Sequence, residues 1–156
     1  MKRVLPLFFI VPLLQACSFR TDFLVLNTGE ESLLAEVITK HGPGVSGLFE
    51  RASSVKRLVP VSTDMEVGWD QAISVNADSI APGHYRVAIP PRYALDIGTV
   101  HNEEYTKGKR QFMNGRTFNL ESVTLTRTGK TVTITPGNFD TYFKRVKKSF
   151  DVYCCF

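Results

Sequence analysis

Four ionisable residues near the middle of the chain have types and spacing suited to acid–base or metal chemistry. Asp96 precedes the run His101-Asn102-Glu103-Glu104. Imidazole and carboxylate groups serve as general acids and bases and as ligands of divalent metals. A lone His-x-Glu has little specificity, and the chain has no His-Glu-x-x-His or Cys-x-x-Cys pattern. The 96–104 stretch is therefore predicted to be a solvated loop, with a small hydrolase or metal-binding protein as the alternative.

Two adjacent cysteines, Cys154 and Cys155, are the second candidate for chemistry. Neighbouring residues of a strand point to opposite faces, so a direct bridge between them would need a distorted ring. A redox switch or an intermolecular disulfide is the functional interpretation. Because buried free cysteines are common, we favour one buried cysteine and one near the surface.

Other catalytic signatures are missing from the sequence. No serine lies in a Gly-x-Ser-x-Gly elbow. The glycine-rich segment at 41–47 is not closed by the Gly-Lys-Ser/Thr of a phosphate-binding loop. We therefore predict no catalytic residue, no metal and no cofactor, and we expect a protein that is not an enzyme.

The first 17 residues carry the most specific pattern in the chain. Lys2 and Arg3 precede an apolar run, Leu5–Leu14, which is too short to cross a bilayer as a helix and is typical of a cleavable secretory signal. Leu14-Gln15-Ala16-Cys17 then gives an aliphatic, a variable and a small residue before a cysteine. Residues 1–17 thus resemble the signal peptide and lipobox of a bacterial lipoprotein precursor.

This resemblance implies cleavage before Cys17, transfer of a diacylglyceryl group to the Cys17 thiol and acylation of the new amine. Several acyl chains anchor stably, because each buried methylene contributes about 0.8 kcal/mol. Ser18 follows the cysteine, and at this place it is typical of lipoproteins sent to the outer membrane. The resemblance therefore predicts an outer-membrane protein that faces the periplasm. An ordinary signal peptide cut near Ala16 is the alternative.

The remaining chain has the size of one domain. Removing residues 1–16 from the 156 leaves 140, and removing Lys2 and Arg3 lowers the net charge from +4 to +2. That length suffices for one core, and that charge gives no support for nucleic acid as a partner. We expect a lipidated tether at 17–22 and a single β-rich domain at 23–156, with membrane lipid and an envelope protein as partners.

Short apolar runs separated by turn residues predict a mainly β, antiparallel, β-sandwich-like fold. Phe23–Leu26 and Leu33–Thr39 flank a turn-like segment and suggest a hairpin. Val123–Ile134 is the clearest hairpin, because apolar residues and threonines alternate on either side of Thr128-Gly129. Further strands are predicted at Val55–Val61, Met65–Trp69, Ala72–Val75, Tyr85–Ile89 and Tyr93–Ile97, with a polar loop at Asn76–Gly83.

The period of the apolar residues changes near the C terminus. Phe139, Tyr142, Phe143, Val146 and Phe150 have helical spacing. This pattern predicts one amphipathic helix of about three turns. Alternation from Phe150 to Phe156 makes a final strand possible.

Basic residues form two groups that are candidates for interaction. Lys107, Lys109 and Arg110 lie in Gly98–Arg116, the longest polar stretch, whereas Lys144, Lys147 and Lys148 lie on the predicted helix. Near an anionic membrane such residues can contribute about 1 kcal/mol each.

These patterns together favour a non-enzymatic binding or assembly module anchored by lipid in the cell envelope. A periplasmic hydrolase or metal-binding protein that uses the 96–104 loop is one alternative. A small outer-membrane barrel is another, which Phe156 permits but which needs strands of about 9–11 residues.

Overall fold

The computed structural model describes residues 19–40, 47–49, 55–108, 112–113, 115–145 and 152–155, the backbone alone at 112–113 and 152–155. The predicted signal peptide and Cys17 lie outside the described residues, as do Lys109, Arg110, Lys147 and Lys148. The described ranges include the other charged candidates, namely Asp96, His101, Glu103, Glu104, Lys107 and Lys144.

Thirteen short strands account for most of this part of the chain. In chain order they are β1 (Arg20–Leu26), β2 (Leu33–Thr39), β3 (Val55–Pro60), β4 (Ile73–Asn76), β5 (Asp78–Ala81), β6 (His84–Ile89), β7 (Tyr93–His101), β8 (Phe112–Met113), β9 (Arg116–Thr117), β10 (Leu120–Arg127), β11 (Lys130–Ile134), β12 (Phe143–Arg145) and β13 (Val152–Cys155). A 3₁₀ helix spans Trp69–Gln71, and α1 spans Phe139–Tyr142.

The strands form two packed sheets, which confirms the predicted β-sandwich-like domain. One sheet has six strands in the order β12-β13-β1-β7-β3-β4, and the other has five in the order β11-β10-β2-β6-β5. Pairing is antiparallel except between β1 and β13, which run parallel. β8 and β9 form a separate two-stranded ribbon.

Alternate residues of each sheet meet in the core between the sheets. Phe23 and Val25 of β1 lie opposite Tyr85 and Val87 of β6 in one buried cluster. Rings from the connecting segments complete this cluster at one end, with edge-to-face contacts such as Phe49 against Phe23. Each such buried side chain contributes about 1.5–3 kcal/mol to stability.

Lys56 of β3 also lies in this core, where 1% of its surface is exposed. Its Nζ lies 4.0 Å from the centroid of the Tyr85 ring in the other sheet. This cation–π contact therefore joins the two sheets.

The predicted hairpin between the first two strands is wrong, although both strands exist. β1 pairs with β7 and β13 in the six-stranded sheet, whereas β2 pairs with β6 and β10 in the five-stranded sheet. The reason is burial on both faces: every residue from Thr21 to Leu26 is buried. Such a strand needs a neighbour at each edge and cover on each face, which a hairpin does not provide.

Asn27 stabilises the crossing between the two sheets. Its Nδ2 donates to the carbonyl oxygens of Glu31 (2.7 Å) and Ile89 (2.9 Å). Its Oδ1 accepts from the backbone N–H of Gly29 at 3.1 Å. The turn residues predicted at 27–32 are therefore present, but they connect two sheets rather than two paired strands.

The predicted helix near the C terminus is confirmed, but its predicted length of about three turns is wrong. α1 has a single turn, and at Phe143 the chain enters β12, which pairs with β13. The spacing is misleading because Phe139 and Phe143 do lie on one side, with stacked rings 4.1 Å apart. An isolated helix turn is costly to nucleate, whereas pairing with β13 satisfies the backbone at once. The possible final strand is confirmed as Val152–Cys155.

Several boundaries differ from the sequence prediction. β1 begins at Arg20, inside the expected tether, and β7 continues through Gly98–His101, the expected start of the polar connection. Met65–Trp69 is not a strand: only Val67 bridges to Val61 before the 3₁₀ helix. Part of the predicted loop at Asn76–Gly83 is the edge strand β5, whose residues are all exposed and so show no alternation.

The predicted hairpin at Val123–Ile134 is confirmed. β10 and β11 pair with Val123 opposite Ile134 and Leu125 opposite Val132. Thr124 and Thr133 pair on the other face with hydroxyl oxygens 3.3 Å apart. Gly129 has φ 72°, a left-handed conformation that suits glycine in the turn.

Candidate functional site: an arginine–tryptophan–arginine cluster beside the start of the first strand

The start of β1 is held firmly against the end of β7. The Phe19 N–H donates to Asn102 Oδ1 at 3.1 Å, and the Asn102 N–H donates to the Phe19 carbonyl at 2.8 Å. The Thr21 hydroxyl donates to the Glu103 carbonyl at 3.0 Å. Phe19, two positions after Cys17 in the sequence, is therefore bonded to the residue that follows β7.

The face of the six-stranded sheet that points away from the core has an apolar half and a charged half. The apolar half is a second buried cluster that includes Leu24, Val59 and Ala94. Residues of the 61–72 segment pack over it, among them the partly buried Met65 and Trp69. This second cluster explains why β1 is buried on both faces.

Trp69 lies where the two halves meet, between two arginines. The Cζ atom of Arg20 is 4.2 Å from the centroid of the Trp69 ring. The Cζ atom of Arg57, on β3, is 4.8 Å from the same centroid. Both distances are those of cation–π contacts, for which tryptophan is the most favourable ring.

Two buried carboxylates orient the two guanidinium groups. Arg20 Nε donates to Asp22 Oδ2 at 2.6 Å, and an Arg57 nitrogen donates to Asp96 Oδ2. The side chains of Asp22 and Asp96 are 2% and 9% exposed, whereas those of Arg20 and Arg57 are 35% and 40% exposed. The cluster therefore presents positively charged groups outward and keeps the carboxylates beneath them.

Further hydrogen bonds hold the carboxylates in place. Asp22 Oδ1 accepts from the Thr99 hydroxyl at 2.6 Å, and Asp96 Oδ1 accepts from the Gly98 N–H at 3.2 Å. A guanidinium has five N–H donors in a planar fork that matches phosphate and carboxylate groups. The arrangement suits recognition of an anionic group beside an apolar ring.

The acid–base group that was the alternative for 96–104 does not assemble, and the solvated loop favoured there is wrong at Asp96, which is buried in β7. Asp96 is paired with Arg57 beneath the cluster, and His101 lies at the far end of β7 with an exposed side chain. Glu104 pairs with Arg145 at 2.7 Å, and Glu103 is half-buried. Within the described ranges, no three His, Cys, Asp or Glu side chains are grouped so that they could hold a metal ion.

The described members of the two basic groups, Lys107 and Lys144, belong to segments that contact α1. Lys107 is exposed, two residues after the buried Tyr105, whose hydroxyl donates to Asp140 of α1. Lys144 is exposed on β12, and its Nζ donates to the Asp140 carbonyl at 2.7 Å. Lys109, Arg110, Lys147 and Lys148 lie outside the described residues.

The two cysteines occupy successive register positions on β13. Cys154 is the partner of Val25 and of Phe143, and Cys155 is the partner of Leu26. Val25 and Phe143 belong to the main core and Leu26 to the second cluster. These positions agree with the expectation that successive residues of a strand belong to opposite faces.

The outer face of the five-stranded sheet carries a second polar group. Glu36 accepts from Arg86 Nε at 2.8 Å and lies 2.5 Å from His84 Nε2. The Arg86 hydrogen bond, followed by the His84 contact, lowers the pKa of Glu36. This group is an ordinary cross-strand arrangement on a solvated face.

One side of the sandwich is an open edge. β4 and β5 are the outermost strands of their sheets in the described part of the chain, and a single residue, Ala77, joins them. Val55, Ile73 and Ile80 are exposed there, at 48%, 43% and 46%. Within the described residues, no strand pairs with the outer edges of β4 and β5, and such an edge with exposed apolar side chains suits addition of a further strand.

Sequence patterns do not reveal Arg20, Arg57 or their relation to Trp69. The available signal is Arg20-x-Asp22-x-Leu24-x-Leu26, which places two charges on the face of two buried leucines. A charged half-face of this kind is unusual for a central strand.

Comparisons with known proteins give no family for this chain: no family model, no curated protein and no solved structure matches it. No helix in the described residues is both long enough and apolar enough to cross a bilayer. Functional inference therefore depends on the sequence and on the geometry of the described residues.

Proposed function

We propose that the protein is a lipid-anchored envelope protein whose β-sandwich acts as a non-enzymatic binding module at the periplasmic face of the outer membrane. The observation that carries the proposal is the short distance between the lipobox and the sheet. Only Ser18 and Phe19 separate Cys17 from β1, and three residues span at most about 10 Å. Acyl chains on Cys17 would hold the sandwich at the membrane surface.

The open edge formed by β4 and β5 supports a binding role. An extended segment of an envelope protein, adding as a strand, would pair with the backbone of this edge and cover Ile73 and Ile80. Main-chain hydrogen bonds would supply affinity, and apolar side chains at alternate positions would supply selectivity.

Two measurements test the anchor. Intact-mass analysis of the membrane-extracted protein should find a diacylglyceryl group and an acylated amine on Cys17, and Cys17→Ser should release the domain from membranes. An unmodified Cys17 in wild-type protein would refute the anchor.

The binding surface is tested with a photo-crosslinking residue at Ile80 in living cells. The matched control places the same residue at Thr131 on β11, the edge strand at the other side of the five-stranded sheet. We expect one adduct from Ile80, with the cross-link mapped to an extended segment of an envelope protein, and none from Thr131. Equal labelling from both positions, or none from Ile80, would exclude the β4–β5 edge as the binding surface.

A further inference from the structure

We infer that Arg20, Trp69 and Arg57 form a docking site for the phosphate group of a phospholipid headgroup. The inference rests on the proposed function, because it requires the anchor at Cys17. The cluster would be the surface through which the domain contacts the bilayer.

One residue of the arginine–tryptophan–arginine cluster, Arg20, is close to Cys17 in the sequence. Arg20 is the first residue of β1 and lies three residues from Cys17. Its guanidinium contacts the Trp69 ring directly. A lipidated Cys17 would therefore keep the cluster within reach of the headgroups, whichever way the domain tilts.

The side chains of the cluster are of types that suit a phospholipid headgroup. Tryptophan is enriched at the membrane–water interface because its ring is apolar and its N–H is polar. Arginine matches phosphate oxygens with paired N–H donors. Arg20 donates through Nε to Asp22, and Arg57 donates through one terminal nitrogen to Asp96. The two arginine side chains are nevertheless 35% and 40% exposed. The carboxylates thus fix the orientation that a phosphate would meet.

The charges of the cluster predict how its docking to the membrane depends on salt. Two guanidinium charges are balanced by two buried carboxylates, so the cluster attracts an anionic surface only weakly from a distance. A short tether supplies millimolar effective concentration, so a weak short-range site is sufficient once the acyl chains are inserted. Docking should therefore depend little on salt or on anionic lipid, unlike docking through the lysine-rich segments.

The test uses Trp69, the only tryptophan in the chain, as the probe. The full lipidated protein is reconstituted into phosphatidylcholine vesicles that contain lipid brominated near the headgroup end of its acyl chains. We expect quenching of Trp69 emission that persists in high salt and without anionic lipid. Arg20→Lys with Arg57→Lys should lose most of this quenching, because lysine keeps the charge but not the fork.

The matched control replaces Arg86 and Arg92, which do not contact Trp69, by lysine. The control should quench as wild type does, and thermal unfolding should show that every variant is folded. Absence of quenching in acylated wild-type protein, or equal quenching in the Arg20/Arg57 variant, would overturn the inference. Quenching that vanishes in high salt would assign docking to the lysines instead.

A second arm separates a headgroup from a soluble anion. Inorganic phosphate is titrated against the protein in detergent without vesicles. No change in Trp69 emission is expected at millimolar phosphate, whereas saturable binding there would assign the site to a free anion and refute the lipid surface. Failure of the anchor is distinguished from failure of docking, because the mass of Cys17 is measured independently.

Discussion

The guanidinium group of Arg20 lies 4.2 Å from the centre of the Trp69 ring while its Nε donates to the buried Asp22. One side chain thus joins the start of β1, a carboxylate beneath the sheet surface and the segment that covers the outer face. Removing it should affect both stability and the environment of the tryptophan.

Arg20→Ala should lower the free energy of unfolding by about 1 kcal/mol, because it removes one cation–π contact and an ion-pair partner of Asp22. The emission maximum of Trp69 should shift as well. Urea denaturation followed by fluorescence measures both. Arg86→Ala, in the other sheet, is the control and should leave the emission unchanged; the same emission in Arg20→Ala would contradict the contact.

Asn119 should contribute more to the stability of the fold than the size of its side chain suggests. Its Oδ1 accepts from the Phe49 N–H at 2.8 Å, and its Nδ2 donates to the Phe49 carbonyl at 3.2 Å and the Lys40 carbonyl at 3.4 Å. Asn119→Ala would leave buried backbone groups without these partners, which costs about 1–3 kcal/mol per group.

Thermal and urea unfolding of Asn119→Ala should therefore show one of the larger losses among single polar substitutions. The exposed Asn76 provides the comparison, and Asn76→Ala should change stability by less than about 0.5 kcal/mol. Equal effects at both positions would show that the Asn119 hydrogen bonds contribute nothing.

Arg92→Gly should stabilise the protein. Arg92 has φ 63° in the turn Pro90-Pro91-Arg92-Tyr93, where the Tyr93 N–H donates to the Pro90 carbonyl at 3.2 Å. A left-handed conformation costs a side-chain-bearing residue about 1–2 kcal/mol, and glycine gives back about 0.5–1 kcal/mol in chain entropy. The net gain in unfolding free energy is therefore up to about 1.5 kcal/mol.

Glycine can make the same backbone hydrogen bonds as Arg92. In the described structure the Arg92 side chain has one ion pair, a 3.5 Å contact with the exposed Glu30. Arg86→Gly, within β6, is the contrasting change and should destabilise. A loss of stability in Arg92→Gly would mean that the arginine side chain has a structural role.

Glu36 should make the domain sensitive to acid. Its pKa in the folded protein is lowered, chiefly by the Arg86 hydrogen bond. A lowered pKa means that the ionised form stabilises the fold above the unfolded value, about 4.3. This contribution is lost as the pH falls from there through the lower folded pKa.

The measurement is the free energy of unfolding at several pH values between neutral and acid. Glu36→Gln removes the titrating group, so its stability should fall less steeply in that window than the wild type's. Glu121→Gln, for which no ion pair is found in the described structure, is the control. Parallel curves for wild type and Glu36→Gln would show that Glu36 does not contribute.

Alternation of apolar and polar residues along the sequence made part of the fold predictable. Thr124 and Thr133 face solvent while Val123 and Ile134 are buried, so the β10–β11 hairpin follows from residues close together in the sequence. The same reasoning failed at β1, because its neighbours β7 and β13 are distant in the chain and no local pattern encodes them.

The predicted length of the C-terminal helix was wrong for a related reason. The spacing of Phe139 and Phe143 is the same whether the helix ends after one turn or continues. The outcome is decided by the pairing of β12 with β13. The candidate site was hidden because Arg20, Arg57 and Trp69 come from three separate segments. A charged residue beside a tryptophan in space leaves no periodic signal in sequence.

The position of β1 also has a mechanical consequence. The strand is bonded on one edge to β7 and on the other to β13, and its first residue is three positions after Cys17 in the sequence. A force applied there acts along the strand and loads the hydrogen bonds of both ladders together in shear. An edge strand pulled sideways would instead open one bond at a time. Under the proposed anchor at Cys17, tension between the membrane and a bound partner would therefore act on a strand that has a neighbour at both edges.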